Sequence, residues 1–294
     1  MIETETVSLT VEQCRWFYAE ELRVVANLAS AALVGAFARV ERERYMGQPP
    51  WQFSSQAPNR GMSYRTTEEV RDLYHDIFIA LKSEKFLNNG LPSVLAGCLD
   101  KLNLAPGQRV LHIGCGSGYY TAIMAEVVGA EGAVVAVELE PELAELAAAN
   151  LKDYANVTVV NGDGAALAPA PSDVVMVNAG VTHPHPAWLE CLAVGGTLLL
   201  PLCVGEPGNA GKVLAVRITR QAAGFAADIH SIFALYSSPS LRDPAMQELL
   251  FQSVETRKIA GLKSVRVEPH EQTESCIVHA PGFCLSAAAV GASA

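Results

Sequence analysis

The sequence predicts an α/β fold, a seven-stranded and mostly parallel sheet covered by helices on both faces, preceded by an N-terminal helical extension. Three observations predict it. Half of the 294 residues are apolar and only 18% are charged, enough material for a large core. From Arg109 onward, short apolar runs alternate with helical segments, as in a parallel sheet buried on both faces. The first of these runs passes straight into Gly114-x-Gly116-x-Gly118 and then into a helix.

At the N-terminus, Thr10 with Gln13 forms a capping box, and Leu22, Val25, Ala26, Ala29, Leu33, Ala36, Phe37 and Val40 recur at helical spacing. The first forty residues therefore read as helix. Val24, Ala31 and Val34 make a second side apolar, and a helix without a polar face is covered twice. A homodimer contact through these helices is one expectation, which a monomer mass in solution would remove. Residues 47–65, rich in Pro, Gly, Ser and Asn, read as a loop, and the pair Thr66 and Glu69 as a capping box opening a helix with Val70, Leu73, Tyr74 and Ile77.

The strands of the sheet are expected at Arg109–Ile113, Ala133–Val137, Val157–Val160, Val174–Val177 and Thr197–Leu200, with helices at Tyr119–Val128, Pro141–Tyr154 and Pro186–Ala193. Lys212–Thr219 and Ile229–Tyr236 read as an antiparallel pair turning near Gly224. Residues 244–257 read as helix and the final SAAAVGASA as a loose tail. The expected organisation is a helical extension and acceptor lid over 1–105, a cofactor-binding domain over 106–240, and a C-terminal helix, strand and tail over 241–294.

With 21 Lys plus Arg against 31 Asp plus Glu, the net charge of −10 disfavours nucleic acid and anionic membrane as partners. The seven cysteines are odd in number and scattered, so neither a disulfide framework nor a zinc knuckle is expected, and a reducing cytoplasm fits. The most apolar early stretch, Val24–Ala38, is broken by Asn27, Ser30 and Gly35, so no signal peptide or membrane span is expected.

The glycine turn lets backbone approach a ligand closely, and the N–H groups of the helix start offer an anion site. The third glycine lies two residues after the second, where a dinucleotide fingerprint requires three. Glu138 ends the next strand, 24 residues beyond Gly114, where a carboxylate accepts from both hydroxyls of an adenosine ribose. Asp163 ends the third strand, where it accepts from an adenine amino group or makes an Asx turn, and Asn178 ends the fourth. Leu139 and Gly164 adjoin the two acids, and Cys115 contributes its backbone.

With these motifs in view, the chain resembles the class I S-adenosylmethionine-dependent methyltransferases and, among them, the protein-L-isoaspartate O-methyltransferase family. The resemblance runs through AFARVERERYM, LPSVLAGCLDKLNLAPGQRVLHIGCGSGYYTAIMAE, VELEPELAELAAANL, NGDG and VGGTLLLPL. It implies a Rossmann-like sheet of strand order 3-2-1-4-5-7-6 and S-adenosyl-L-methionine as cofactor. The methionine moiety would lie over Gly114–Gly118, the ribose on Glu138 and the adenine near Asp163.

One departure shapes the acceptor expectation. The family's Thr/Ser-Ile-Ser-x-Pro segment is replaced by Asn88-Asn89-Gly90-Leu91-Pro92, and the family's serine falls on Gly90, which has no hydroxyl. The reading is therefore methyl transfer to a small molecule, a heteroaromatic (indole-like) or amide-containing natural product, at carbon or nitrogen. Isoaspartyl protein repair and an inactive cofactor-binding interaction module are the alternatives. A protonated acceptor benefits from a base, which points to the Thr182-His183-Pro184-His185 stretch after the fourth strand. His183 is the expected base and His185 the weaker choice, each reading equally as a backbone-bonded loop histidine. Asn89 is expected to orient the acceptor or to cap the following helix, and Tyr74 to form its lid or pack in the core. No metal is expected.

Overall fold

The computed structural model describes residues 9–54, 64–85, 87–204, 210–236 and 240–291. The chain forms two compact units, Met1–Asp100 and Lys101–Ala294. The boundary expected at 105/106 thus falls at Asp100/Lys101, and 241–294 is part of the second unit.

In the first unit the Thr10 capping box opens helix α1, Val11–Val25, with Gln13 N–H donating to Thr10 Oγ1 at 3.2 Å and Thr10 N–H to Gln13 Oε1 at 2.9 Å. The expected single helix is two. Asn27 takes a left-handed φ of 49°, Ser30 caps the next start, and α2 runs Ala31–Arg39. Asp100 fixes the break by accepting from Ala29 N–H at 3.0 Å and Ser30 N–H at 2.9 Å. Tyr18, Ala19 and Leu22 of α1 and Leu33, Ala36 and Phe37 of α2 are buried. The continuous helix behind the homodimer expectation is thus absent, while Val24 and Val25 at the end of α1 are 65% and 61% exposed.

The remainder of this unit is a four-stranded antiparallel sheet of β1 (Trp51–Ser54), β2 (Arg65–Thr67), β3 (Phe78–Lys82) and β4 (Leu87–Asn88) in the order β2-β1-β3-β4, and helix α3 (Pro92–Asp100). The expected helix after Thr66 does not form. Thr66 lies in β2, Thr67 Oγ1 instead accepts from Glu69 N–H at 3.0 Å, and only a 3₁₀ turn, Val70–Leu73, follows. Arg42, fully buried, holds this region by donating to the carbonyls of Leu73, His75 and Ile77 at 2.5, 2.9 and 3.0 Å.

The second unit carries β5 (Arg109–Ile113), α4 (Tyr119–Val128), β6 (Ala133–Glu138), α5 (Pro141–Asn150), β7 (Val157–Asn161), β8 (Ser172–Val177), α6 (Pro186–Glu190), β9 (Leu192–Cys203), β10 (Ala210–Gln221), β11 (Gly224–Tyr236), α7 (Pro244–Glu255), β12 (Ser264–Arg266), β13 (Cys276–Ala280) and β14 (Phe283–Ser286). Among the described residues the sheet has ten strands in the order β13-β14-β12-β11-β10-β9-β8-β5-β6-β7. Strands β5 to β9 pair in parallel and the others antiparallel.

Counting from β5, the first seven strands lie in the order 3-2-1-4-5-6-7, so the last two expected positions are exchanged. The physical reason is local: β9, β10 and β11 follow one another without a crossover helix, and antiparallel neighbours in sequence pair directly. The expected loose tail begins inside β14 and is tied back, Ala287 N–H donating to Ser275 O at 2.8 Å. One face of the sheet, with Leu111, Ile113, Val175, Val177, Leu198 and Leu200, packs on Trp188, Leu189, Met246 and Leu250 in a buried core. Among the described residues no helix is long and apolar enough to cross a membrane.

Candidate active site

The carboxyl ends of β5, β6, β7 and β8 bring the expected cofactor residues together. Where β5 stops, Gly114, Gly116 and Gly118 take φ of 76°, 56° and 93°, a left-handed path that only glycine follows without strain. A Cβ on Gly114 would lie 3.1 Å from the Asn178 carbonyl oxygen at the end of β8, so the bare backbone is what lets these two strand ends approach. Gly114 and Cys115 N–H both donate to Val137 O, at 2.8 and 3.1 Å, and Asn178 N–H donates to Ile113 O at 2.8 Å. The turn is thereby locked to its two neighbouring strands.

Glu138, 8% exposed, ends β6 beneath this turn. Its Oε2 accepts from Gly116 N–H at 2.7 Å and its Oε1 from Glu140 N–H at 3.0 Å. A carboxylate offers about four lone-pair sites, so two remain for a pair of ribose hydroxyls. Leu139, 42% exposed, follows it at the rim. Cys115 is buried, and burial first, then the Glu138 carboxylate, pushes its thiol well above the usual range, which leaves it neutral.

Asp163 makes the Asx turn, its Oδ1 accepting from Ala165 N–H at 2.9 Å, and also receives Ser240 Oγ at 3.0 Å. Among the described residues, one carboxylate oxygen is left for a further donor. Gly164 has no room for a side chain, since a Cβ would lie 2.5 Å from Ile113 Cγ2, and its carbonyl accepts from Trp188 Nε1 at 3.0 Å. Ser117 Oγ, inside the glycine turn, is buried with no hydrogen-bond partner among the described residues. The close backbone approach, the two acids with spare acceptor capacity and this orphaned hydroxyl fit an adenosine-bearing cofactor.

After β8 the two histidines part company. His183 is half-buried, with Nδ1 2.9 Å from Thr182 Oγ1, and Thr182 in turn receives Asp243 N–H at 3.0 Å. Burial lowers the His183 pKa, against the opposing pull of Asp243, so the ring is neutral at pH 7. His185 is the N-cap of α6, its Nδ1 accepting from Ala187 N–H at 3.3 Å. That nitrogen is committed to the helix end, which corrects the expectation of His185 as a base.

Two expected acceptor residues lie in the first unit. Tyr74 is 2% exposed; its hydroxyl donates to Glu43 Oε2 and accepts from Arg42 N–H at 3.1 Å. Burial, then Glu43, raises its pKa, and it is a core residue rather than a lid. Asn89 is 6% exposed, and its Nδ2 is buried without a partner among the described residues. Gly90 beside it has a φ of 75°, where a serine would be strained, and a Cβ there would lie 2.7 Å from Leu95 Cδ1, so the leucine side chain would also have to move.

Sequence reasoning missed His112, fully buried in β5, with Nδ1 2.9 Å from Thr121 Oγ1 and a pKa pushed down to about 3 by burial. Nothing in its apolar run marks it as more than one polar residue in a strand.

Comparison with known proteins supplies what this geometry leaves open. The family model of protein-L-isoaspartate(D-aspartate) O-methyltransferase matches residues 19–226. The protein-L-isoaspartate O-methyltransferase of Ignicoccus hospitalis is 40% identical over 146 residues, 48% of this chain and 68% of that one. The enzyme of the same name from Aeropyrum pernix is 35% identical over 193 residues, 64% of this chain and 65% of that one. Protein-L-isoaspartate O-methyltransferase 1 of Archaeoglobus fulgidus is 44% identical over 115 residues, 38% of this chain and 53% of that one. The chain thus spans 53% to 68% of the length of these three relatives.

Two solved structures share the fold. One, a protein-L-isoaspartate O-methyltransferase, has a TM-score of 0.62 at 24% identity, covering 84% of this chain and 70% of its own. The other, a putative enzyme of that kind from Plasmodium falciparum in complex with S-adenosyl-L-homocysteine, has a TM-score of 0.58 at 18% identity, covering 76% and 97%.

These findings overturn the expected small-molecule acceptor and the natural-product role built on it. The relatives are named for isoaspartate in proteins, and the missing hydroxyl at Gly90 is one side chain set against a match of 208 residues from 19 to 226. The constellation at the sheet's carboxyl edge and the matched length lead to one conclusion: the chain belongs to the protein-L-isoaspartate(D-aspartate) O-methyltransferase family and is an S-adenosylmethionine-dependent methyltransferase.

Proposed function

We propose that this protein methylates the free carboxylate of isoaspartyl residues in proteins or peptides. The observation that carries the reading is the family match over residues 19–226, which includes the whole cofactor constellation from Gly114 to Asn178. When bound, S-adenosylmethionine would supply a sulfonium-activated methyl group, open to in-line attack by one carboxylate oxygen, with the C–O bond forming as the C–S bond breaks and S-adenosylhomocysteine leaves. Gly114–Gly118 receive the methionine end, Glu138 accepts from the ribose hydroxyls, and Asp163 accepts from the adenine amino group.

A carboxylate is already ionised at neutral pH and needs no general base. The role left to His183 is to hold the segment after β8 through Thr182. The seven free cysteines support a cytoplasmic location.

The test compares an isoaspartyl peptide with the same peptide carrying normal aspartate, using labelled methyl donor. Selective labelling of the isoaspartyl form is expected. Equal labelling of both peptides, or of neither, would reject the proposal.

A further inference from the structure

The scattered cysteines predict no zinc knuckle, yet the C-terminal strands gather four soft ligands. His270, in the loop between β12 and β13, Cys276 and His279 of β13, and Cys284 of β14 place their ligand atoms within 4.8 Å of one another. All four lie beyond residue 226, outside the span the family model matches. We propose that they form a structural zinc(II) site pinning the β12–β13 loop to the edge of the sheet.

The backbone is built for this convergence. Side chains alternate along a strand, so Cys276 and His279, three residues apart, would face opposite sides of a regular β13. The register shift between Cys276 and Val278 changes that parity and lets both face one side. His279 and Cys284 are direct cross-strand partners, which sets their side chains together on that same side. The tight return between the two strands comes from Gly282, with a φ of 75°.

One ligand–ligand distance and the outer partners agree with zinc. Zinc bonds of about 2.0–2.3 Å to nitrogen and sulfur give tetrahedral edges of about 3.3–3.8 Å. Cys276 Sγ and His270 Nε2 are 3.7 Å apart. His270 Nδ1 lies 2.9 Å from Glu268 O, the backbone partner that leaves Nε2 as the ligand nitrogen. Cys276 Sγ receives Thr273 N–H at 3.3 Å, the usual support for a metal-bound thiolate. His279 Nδ1 is buried without a hydrogen-bond partner among the described residues.

Charge also balances. Arg266, the cross-strand partner of Cys284, is paired with Glu268 at 2.8 Å, so two thiolates remain to neutralise the dication. Binding releases the two thiol protons to solvent and forms two zinc–sulfur and two zinc–nitrogen bonds. Two cysteines and two histidines fill a tetrahedron without an open position, which assigns the site to structure rather than to catalysis.

The test is metal analysis of the full chain purified under reducing conditions without chelator, followed by zinc competition against a chromophoric chelator. One zinc per chain is expected, with a tetrahedral thiolate spectrum on cobalt(II) substitution. Cys284→Ser should abolish both. Because Cys284 is fully buried, His270→Gln in the loop provides an independent variant. It should weaken zinc binding by more than about 100-fold, the upper end of what an outer partner alone contributes, while S-adenosylhomocysteine binding is kept. Absence of zinc from the wild-type chain, an octahedral cobalt spectrum, a Cys276–Cys284 disulfide in its place, or unchanged affinity in His270→Gln would each overturn the proposal.

Discussion

Glu138 concentrates the cofactor argument in a single side chain. It is nearly buried, each of its oxygens accepts one backbone N–H, and the remaining lone pairs face a cofactor-sized demand. Glu138→Ala should weaken S-adenosylhomocysteine binding by at least about tenfold, the equivalent of one charged hydrogen bond of about 1.5 kcal/mol. Calorimetry measures it, and unchanged affinity would refute the ribose assignment. His183 gives the opposite kind of prediction. If the acceptor is a carboxylate, His183→Ala leaves the pH dependence of turnover without a lost ionisation, whereas a general base would take one limb of the profile with it. The glycines and acids were legible in the sequence because each is local to a strand end. The commitments of Tyr74 to Glu43 and of His185 to Ala187 were not, because hydrogen-bond partners are settled by packing.

At the scale of elements, periodicity located β5 and α4 to the residue and the other central strands to within a few, since long apolar runs and a proline or glycine boundary leave little choice. It failed where elements are short. Strands β12 to β14 are three to five residues long and take their pairing from neighbours rather than from their own pattern. The CxxH spacing of Cys276 and His279 was present in the sequence, but only the bulge in β13 turns both to one side, where pairing with β14 adds Cys284. In the first unit, the 3₁₀ turn at Val70–Leu73 is held by Arg42 from a distant part of the chain, which local spacing does not reveal. Arg42→Ala removes donors to three carbonyls at once. At about 1 kcal/mol or more for each buried acceptor left unpaired, the loss should reach about 3 kcal/mol. Urea unfolding checks it, and a midpoint equal to wild type would contradict the role given to this residue.

For the whole molecule, the fold was legible and the acceptor was not, because cofactor motifs are blind to what receives the methyl group and Gly90 says only what is missing. Stability carries a pH signature of its own. His112 is held neutral down to about pH 3 by burial, while an unfolded histidine protonates near pH 6.5. The unfolded chain therefore binds the extra proton first. The stabilising contribution is complete above about pH 6.5 and declines by up to about 1.4 kcal/mol per pH unit as the pH falls toward 3. His112→Leu should flatten that part of the stability profile measured by denaturant unfolding, and an unchanged slope would contradict it. The most direct test of the central claim is the alkaline stability of the product formed from labelled methyl donor and an isoaspartyl peptide. A carboxyl methyl ester, releasing its label as methanol in mild base, is the predicted result; label retained through base treatment, as on nitrogen or carbon, would contradict the account.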